Sequence, residues 1–560
     1  MLMLAGWPMA AWSQTPGAAV VRGTVVDGEG AGMPYVNVQI TGTTDGDATG
    51  RDGRFEFSTR RLGNQELRAT MIGYEPARRT LNLSAGDTVT VRLVLKETLV
   101  TLDEVFVMSS AYSTGELEGV TLNTLDVLLT PGASADIFLA IKTFPGVAMV
   151  DEGAGLFVRG GDVTETVTLI DQAPVIHPYK FESPTTSVFG TIPPFLVRGT
   201  AFSAGGFSAR YGNALSGVLD MQSLDLPLQR RFYVNVGLAA ASLGVDLPVI
   251  SNKLGLRFSG NRSFTDVLFQ VNGQTNEFSL TPRSLDLNLS LVYKYSTTGQ
   301  IKFFNYQTSD QLGIRVNEPS FSGFYRGETT NGLHNIQWTE VLGKWFIQTS
   351  ASLSRFVAHT QFGSLDLRPT DKDYKLRADV ERRLSEGARL SLGGEVQRNA
   401  DLAIGTVPTS DSSIAPDAET IELDERFPVT QAGGYVEFDL TPTRRIAARV
   451  GVRTDYHSLS DQVVIDPRVS LRYVFSKATD VRLAWGIYHQ YATPILYNTQ
   501  TGNPNLGPQR AQHFIAGINY QQDMLLFRLE AYYKPYRHLV IQDPDLNVAN
   551  RGEGMARGLD

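Results

Sequence analysis

Seven histidines, no cysteine and one calcium-like spacing make up most of the chemistry this 560-residue chain could offer. The lack of cysteine excludes thiol catalysis, disulfides and Cys-based zinc sites together. His177, His334, His359, His457, His489, His513 and His538 show no i,i+4 pairing and no close acidic neighbour, so they read as loop or interior residues rather than ligands. H-E-x-x-H, G-x-S-x-G and G-x-x-x-x-G-K-[ST] do not occur. "GGFSARYG", Gly205–Gly212, is glycine-rich but has no lysine to reach a phosphate. Asp45, Asp47, Thr49, Gly50 and Glu56 fall on the template of a calcium loop. Phe55, Glu56 and Phe57, however, alternate like a strand, which turns Glu56 away and predicts a plain hairpin turn. The sequence predicts neither an enzyme nor a resident cofactor or metal.

Two stretches could bind rather than react. In "HPYKFESPTTS", Tyr179, Lys180 and Phe181 combine aromatic surface with a cation, a mix that suits an anionic or aromatic solute. A packed loop is the competing reading. Between 399 and 432, Asp401, Asp411, Asp417, Glu419, Glu422, Asp424 and Glu425 face only Arg426, which predicts a solvated loop. A net charge of −8 and a pI near 5.5 argue against nucleic acid as a partner.

The elements that would position these residues are almost all strands. Residues 1–13 hold a short apolar run ending near Ala11-Trp12-Ser13, which fits a signal peptide and is too short for a membrane helix. Residues 18–96 contain short β-rich runs divided by Gly, Asp and Asn turns, which predicts a small β-sandwich. A connector, 97–116, surrounds one apolar segment that could join a partner's sheet edge. In 117–224, Ser134–Thr143 has helical spacing with Ile137, Ala140 and Ile141 on one face and Ser134 as N-cap, stopped by Pro145-Gly146.

From 230 to 560 the period is two. Leu285, Leu287, Leu289 and Leu291 alternate with Asp286, Asn288 and Ser290, and Leu376, Ala378 and Val380 alternate with Lys375, Arg377, Asp379 and Glu381. A soluble sandwich also has one apolar face. Runs of about nine to eleven residues match what a tilted strand needs to cross a bilayer. Aromatics gather toward predicted strand ends at Tyr293, Tyr295, Tyr473, Phe475, Tyr532 and Tyr533. Tight turns at 296–299, 385–388, 442–445, 477–480 and 521–523 alternate with long segments at 263–283, 309–332, 399–432 and 490–511, which favours a membrane barrel with long outer loops.

Several motifs carry a family resemblance. "GTVVD" with "TDGDATGRDGRFEF" resembles the carboxypeptidase regulatory-like domain, which is non-catalytic. Val158–Gly161 ("VRGG"), Leu169–Asp171 ("LID") and Ala209–Asp220 ("ARYGNALSGVLD") resemble the plug of TonB-dependent outer-membrane receptors, with Arg159, Gly160, Gly161, Asp171, Tyr211 and Gly212 as plug motif residues. Asp103-Glu104-Val105-Phe106-Val107 is similar to their TonB box, and Thr501–Tyr520 to a loop leading into a barrel strand.

The resemblance implies a mainly β protein: a sandwich, an α+β plug and a transmembrane antiparallel barrel in the outer membrane of a Gram-negative bacterium, with the N-terminal domain in the periplasm. It implies TonB-dependent uptake of a scarce solute, such as a siderophore-type iron complex, powered by the TonB-ExbB-ExbD complex. A plugged surface receptor that binds without transporting is the alternative. Plugged transporter barrels have roughly 22 strands, whereas about 15 are legible here before the chain enters another, so the sequence reads as lacking roughly its last seven.

Overall fold

A computed structural model describes residues 18–95 and 120–560, apart from 29, 34–35, 42, 44, 51, 72–76, 123, 149–154, 182–188, 237–239, 264, 272, 274–277, 319–320, 410–414, 477, 499–501, 523–524 and 544–546. The apolar start 1–13 and the segment 103–107 lie outside the described residues. The chain divides into two compact units, Met1–Val107 and Met108–Asp560.

In the first unit, Arg54–Thr59, Ala19–Val26 and Thr88–Val94 form one sheet in that order. Gly46–Ala48, Asn37–Ile40, Gly63–Thr70 and Ala77–Leu83 form the second. Val21, Val25, Val38, Ile40, Phe55 and Leu67 belong to one buried cluster, so the alternating apolar positions make the expected sandwich core. The calcium-like residues are bonded within the first unit. Thr49 is buried, donating to the Met33 carbonyl at 2.6 Å and accepting from the Val36 N–H at 2.8 Å. Asp45 accepts the Thr59 hydroxyl at 2.6 Å, and Asp47 accepts the Glu56 N–H at 3.2 Å. Glu56 lies mid-strand with its side chain exposed.

The second unit begins with a small sheet, the plug, ordered Ala173–Pro174, Thr166–Ile170, Gly217–Ser223, Val197–Ser203 and Val120–Leu122. A first helix spans Thr124–Leu129; the expected one spans only Ile137–Ile141, and its N-cap is Asp136 rather than Ser134. Ser134 and Ala135 both adopt positive φ (50° and 59°), so the chain is still turning there. The Asp136 carboxylate is the stronger acceptor, taking the N–H groups of Phe138 (2.8 Å), Leu139 (3.0 Å) and Gly190 (2.6 Å). Ile137, Ala140 and Ile141 are buried as their spacing predicts.

Sixteen strands then follow in sequence order as one antiparallel sheet, from Arg231–Val236 to Val548–Leu559, those two being its edges. The sixteenth is the strand that the sequence reading saw only being entered. The short connections fall where expected, for example between Ser385 and Ala388 and between Thr443 and Ile446. The long segments differ from expectation. Strand Gln300–Glu318 continues to within two residues of Phe321–Leu342, and Thr420–Thr443 runs 24 residues. At about 3.3 Å per residue such strands far exceed a bilayer, so what reads as loop is largely paired hairpin projecting beyond it. Apolar residues do alternate there, as at Ile421, Leu423, Phe427 and Val429, but the acidic residues between them favour the loop reading.

Burial in this sheet is inverted relative to a soluble protein. Ser284, Asp286, Asn288 and Ser290 are buried, while Leu285 is 45% and Leu376 64% exposed. Lys375, Arg377, Asp379 and Glu381 are buried as well. An exposed apolar face of this size is stable only against lipid. Tyr293, Tyr295, Tyr473 and Phe475 lie exposed beside short turns, as a girdle requires. Tyr532 and Tyr533 depart from that expectation, lying in the middle of Leu525–Gln542, with Tyr532 turned inward beneath Arg159.

Candidate functional site

The polar face of the large sheet is occupied by the plug, and the contact between them is the site to which the motif residues lead. Arg159 (φ 46°) and Gly160 (φ 73°) form the turn after Phe157–Val158. That turn aims Arg159 at Glu530, at Asp560 (3.0 Å) and at the Tyr532 ring (5.0 Å). A Cβ at Gly161 would stand 1.9 Å from the Ser216 hydroxyl, so only glycine fits. Asp171 closes Thr166–Ile170 at φ 47°, and its carboxylate accepts the Ser223 N–H at 3.1 Å. Its carbonyl accepts from Asn335 (2.9 Å) and Gln337 (3.1 Å) on the wall. Tyr211 donates its hydroxyl to Asp220 at 2.7 Å. Burial pushes the Asp220 carboxyl above its usual range, against the opposing Tyr211 hydrogen bond and the Arg210 charge.

The motif Ala209–Asp220 and Tyr211 within it were legible in the sequence, but the wall contacts of Ser208, Ala209 and Arg210 were not. Arg210 ion-pairs with Asp379 (3.2 Å) and Glu381 (3.4 Å). The Ser208 hydroxyl and the Ala209 N–H both donate to Glu437 at 2.8 Å. The Arg210 carbonyl accepts from Arg377 (3.0 Å) and Arg453 (3.3 Å), and Arg468 donates to the carbonyls of Ser208 and Tyr211 (2.7 Å each). Glu395 holds two of these arginines in place, accepting from Arg377 (2.9 Å) and Arg453 (2.6 Å) as well as from Lys375 (2.9 Å). For those contacts the sequence signal was the charged half of the alternation at 375–381 and 449–453. Periodicity placed those charges on one face but could not say that a plug loop meets them.

Of the residues expected to capture a solute, Lys180 lies against the wall. Tyr179–Lys180 pairs with Phe189–Gly190. Lys180 is buried, ion-paired with Asp286 and donating to Ser284 at 3.0 Å. The Tyr179 ring meets Phe138 edge-on at 5.0 Å, and Phe181 takes φ 53° at the following turn. The Lys180 ammonium is therefore engaged within the protein. In the acidic stretch, Asp417, Glu419, Glu422 and Asp424 are exposed as a solvated run should be, Asp411 lies outside the described residues, and Asp401 is only partly exposed. Three histidines gain acidic partners through tertiary contact that sequence neighbours did not offer: His177 with Asp371 (2.8 Å), His359 with Asp366 (2.9 Å) and His489 with Asp466 (2.5 Å).

This fold and site define a class: a lipid-facing β-sheet wall whose ionic inner side is stopped by a separate small sheet. The model of the family described as TonB dependent receptor-like, beta-barrel, matches residues 251–560, and that of the CarboxypepD_reg-like domain matches 21–107. The chain belongs to the TonB-dependent receptors, and it is an outer-membrane protein.

Among solved structures, it is similar to the siderophore receptor PirA from Pseudomonas aeruginosa (16% identity, 79% of this chain and 81% of that one, TM-score 0.60). It is also similar to the ferric enterobactin receptor PfeA from the same organism (14%, 80% and 78%, 0.64) and to the outer membrane transporter YddB from Escherichia coli (10%, 78% and 73%, 0.58). No curated protein matches the chain. The family and fold are those of receptors and transporters rather than enzymes, and they support ligand uptake across the outer membrane.

Proposed function

We propose that this protein performs active, TonB-dependent uptake of a scarce small solute, with Asp103–Val107 as the segment handed to TonB. A solute binds on the outer side of the plug. Force applied through 103–107 then rearranges the plug and opens a path along the charged wall. The observation that carries this reading is the chemistry of the plug's seat. Around Arg159, Asp171 and 208–211 the plug is held by ion pairs and by backbone carbonyls bonded to wall side chains, contacts that water can replace once the plug shifts. Phe207, Tyr211 and Leu215 also share an apolar cluster with Tyr488 and Tyr536 of the wall, which the applied force must open as well.

No nucleotide is present at the outer membrane, so the energy comes through a partner, and the TonB-ExbB-ExbD complex is the partner that the family supplies. An iron complex of siderophore type is the favoured solute, because siderophore receptors recur among the similar structures. Deleting residues 102–108 tests the coupling. Uptake should cease while binding at the cell surface persists, and undiminished uptake would refute the role given to 103–107.

A further inference from the structure

Four inward positions on two neighbouring strands, Leu365–Ser385 and Ala388–Pro408, form a patch of acceptors that their surroundings leave incomplete. Asp373 stands opposite Asn399 in the register, and Thr370 opposite Leu402, which sets Asp371 against Asp401. Asp373 is completely buried, whereas its neighbour Tyr374 is exposed on the outer face. One Asp373 oxygen accepts from Gln397 and from Asn399 (3.0 Å). The other oxygen, together with Asn399 Oδ1 and Asp401 Oδ1, is buried and has no donor.

Two basic side chains near the patch are already engaged. Plug residue His177 bonds Asp371 at 2.8 Å while stacking on Phe356 (ring centroids 3.5 Å apart). Lys375 is held by Glu395 at 2.9 Å, and Lys372 gives Asp401 a backbone N–H. Asp371 keeps 29% exposure, so the patch opens to the lumen. It lies on the side of the wall away from the short turn at 386–387, where a solute arrives first.

Three carboxylates and three buried acceptor atoms without donors call for a ligand that brings both positive charge and several N–H groups. A bare metal ion fits less well. Facing positions on paired strands stand about 5 Å apart, whereas calcium needs its oxygens within about 2.6 Å of one point. Among the described residues, no three acidic or histidine groups converge in that way.

We propose that Asp371, Asp373, Asn399 and Asp401 bind a positively charged nitrogen group of the transported solute, a primary ammonium or a guanidinium. This rests on the uptake reading above and narrows its substrate class to a solute that carries an organic cation.

The test is calorimetric titration of the full chain in detergent with spermidine at low ionic strength. Saturable binding is expected, weakened about tenfold or more by Asp401→Asn and by Asp373→Asn. Equimolar calcium should not compete. Wild-type affinity in Asp401→Asn, calcium displacing spermidine, or no saturable binding up to millimolar spermidine would each overturn the assignment. Heat-dependent gel mobility checks folding. If Asp373→Asn does not fold, the partly exposed Asp401→Asn carries the test alone. The 102–108 deletion must bind spermidine like wild type, so loss of binding refutes only this inference and persistence of uptake in the deletion refutes only the coupling role.

Discussion

Gly212 makes the seat of the plug open to a sharp test. A Cβ built there would stand 2.2–2.4 Å from the Arg453 guanidinium, so Gly212→Ala must push that side chain aside. Arg453 has little freedom to move. Its side chain is 2% exposed, with contacts of 2.6 Å to Glu395, 2.6 Å to Asp455 and 3.3 Å to the Arg210 carbonyl. Breaking a buried pair on one side costs about 3–5 kcal/mol, and partial re-pairing after the shift leaves a net loss of about 2–3 kcal/mol. That is a ~30- to 150-fold rise in the population of plugs opened around 208–211. Amide hydrogen exchange over 205–223, read by mass spectrometry, should accelerate by that factor while strands far from the plug keep their protection. In an Arg453→Ala background the glycine substitution should add less than about 0.5 kcal/mol, because the group it displaces is gone. Exchange unchanged within about twofold in the single variant, or full additivity in the double, would refute the idea that Gly212 exists to admit Arg453.

Other expectations follow from the same contacts. Leu376→Arg places a charge on the lipid face, which costs about 2–4 kcal/mol at a bilayer midplane and less toward the interfaces, so urea unfolding in lipid vesicles should shift to lower urea; an unchanged midpoint would argue against lipid on that face. Asp136 is held above the usual carboxylate range by burial, despite its three backbone donors. Its folded form therefore favours the proton, so plug stability should rise as pH is lowered from neutral toward the unfolded carboxylate value, and fall again as pH rises through the folded one. Asp136→Asn should flatten that slope in denaturant titrations, and an identical slope in wild type and variant would count against it.

Much of the molecule was legible in the sequence. The period-two alternation of Leu285–Leu291 and Lys375–Glu381 assigned strands and faces correctly, because side chains in a strand point to opposite sides whatever the tertiary context. The turns at 296–299 and 442–445 were legible from their short polar composition. The projecting hairpins were not, since the acidic residues interleaved with Ile421, Leu423 and Phe427 read as a solvated loop. Nor was the helix cap: Ser134 was expected, whereas the turn at Ser134–Ala135 and the reach of Asp136 to Gly190 put the cap at Asp136.

What the sequence determined by itself is local: which residues are extended, which face is apolar, and where glycine and proline turn the chain. Tertiary structure alone decided who meets whom. Lys180, read as a solute-binding cation, was claimed by Asp286 from the wall strand Phe278–Lys294. The unremarkable Arg210 became a centre of the plug's seat through Asp379 and Glu381. The physical reason is that an ion pair is fixed by proximity in space, and residues separated by more than a hundred positions acquire it only when sheet and plug close on each other.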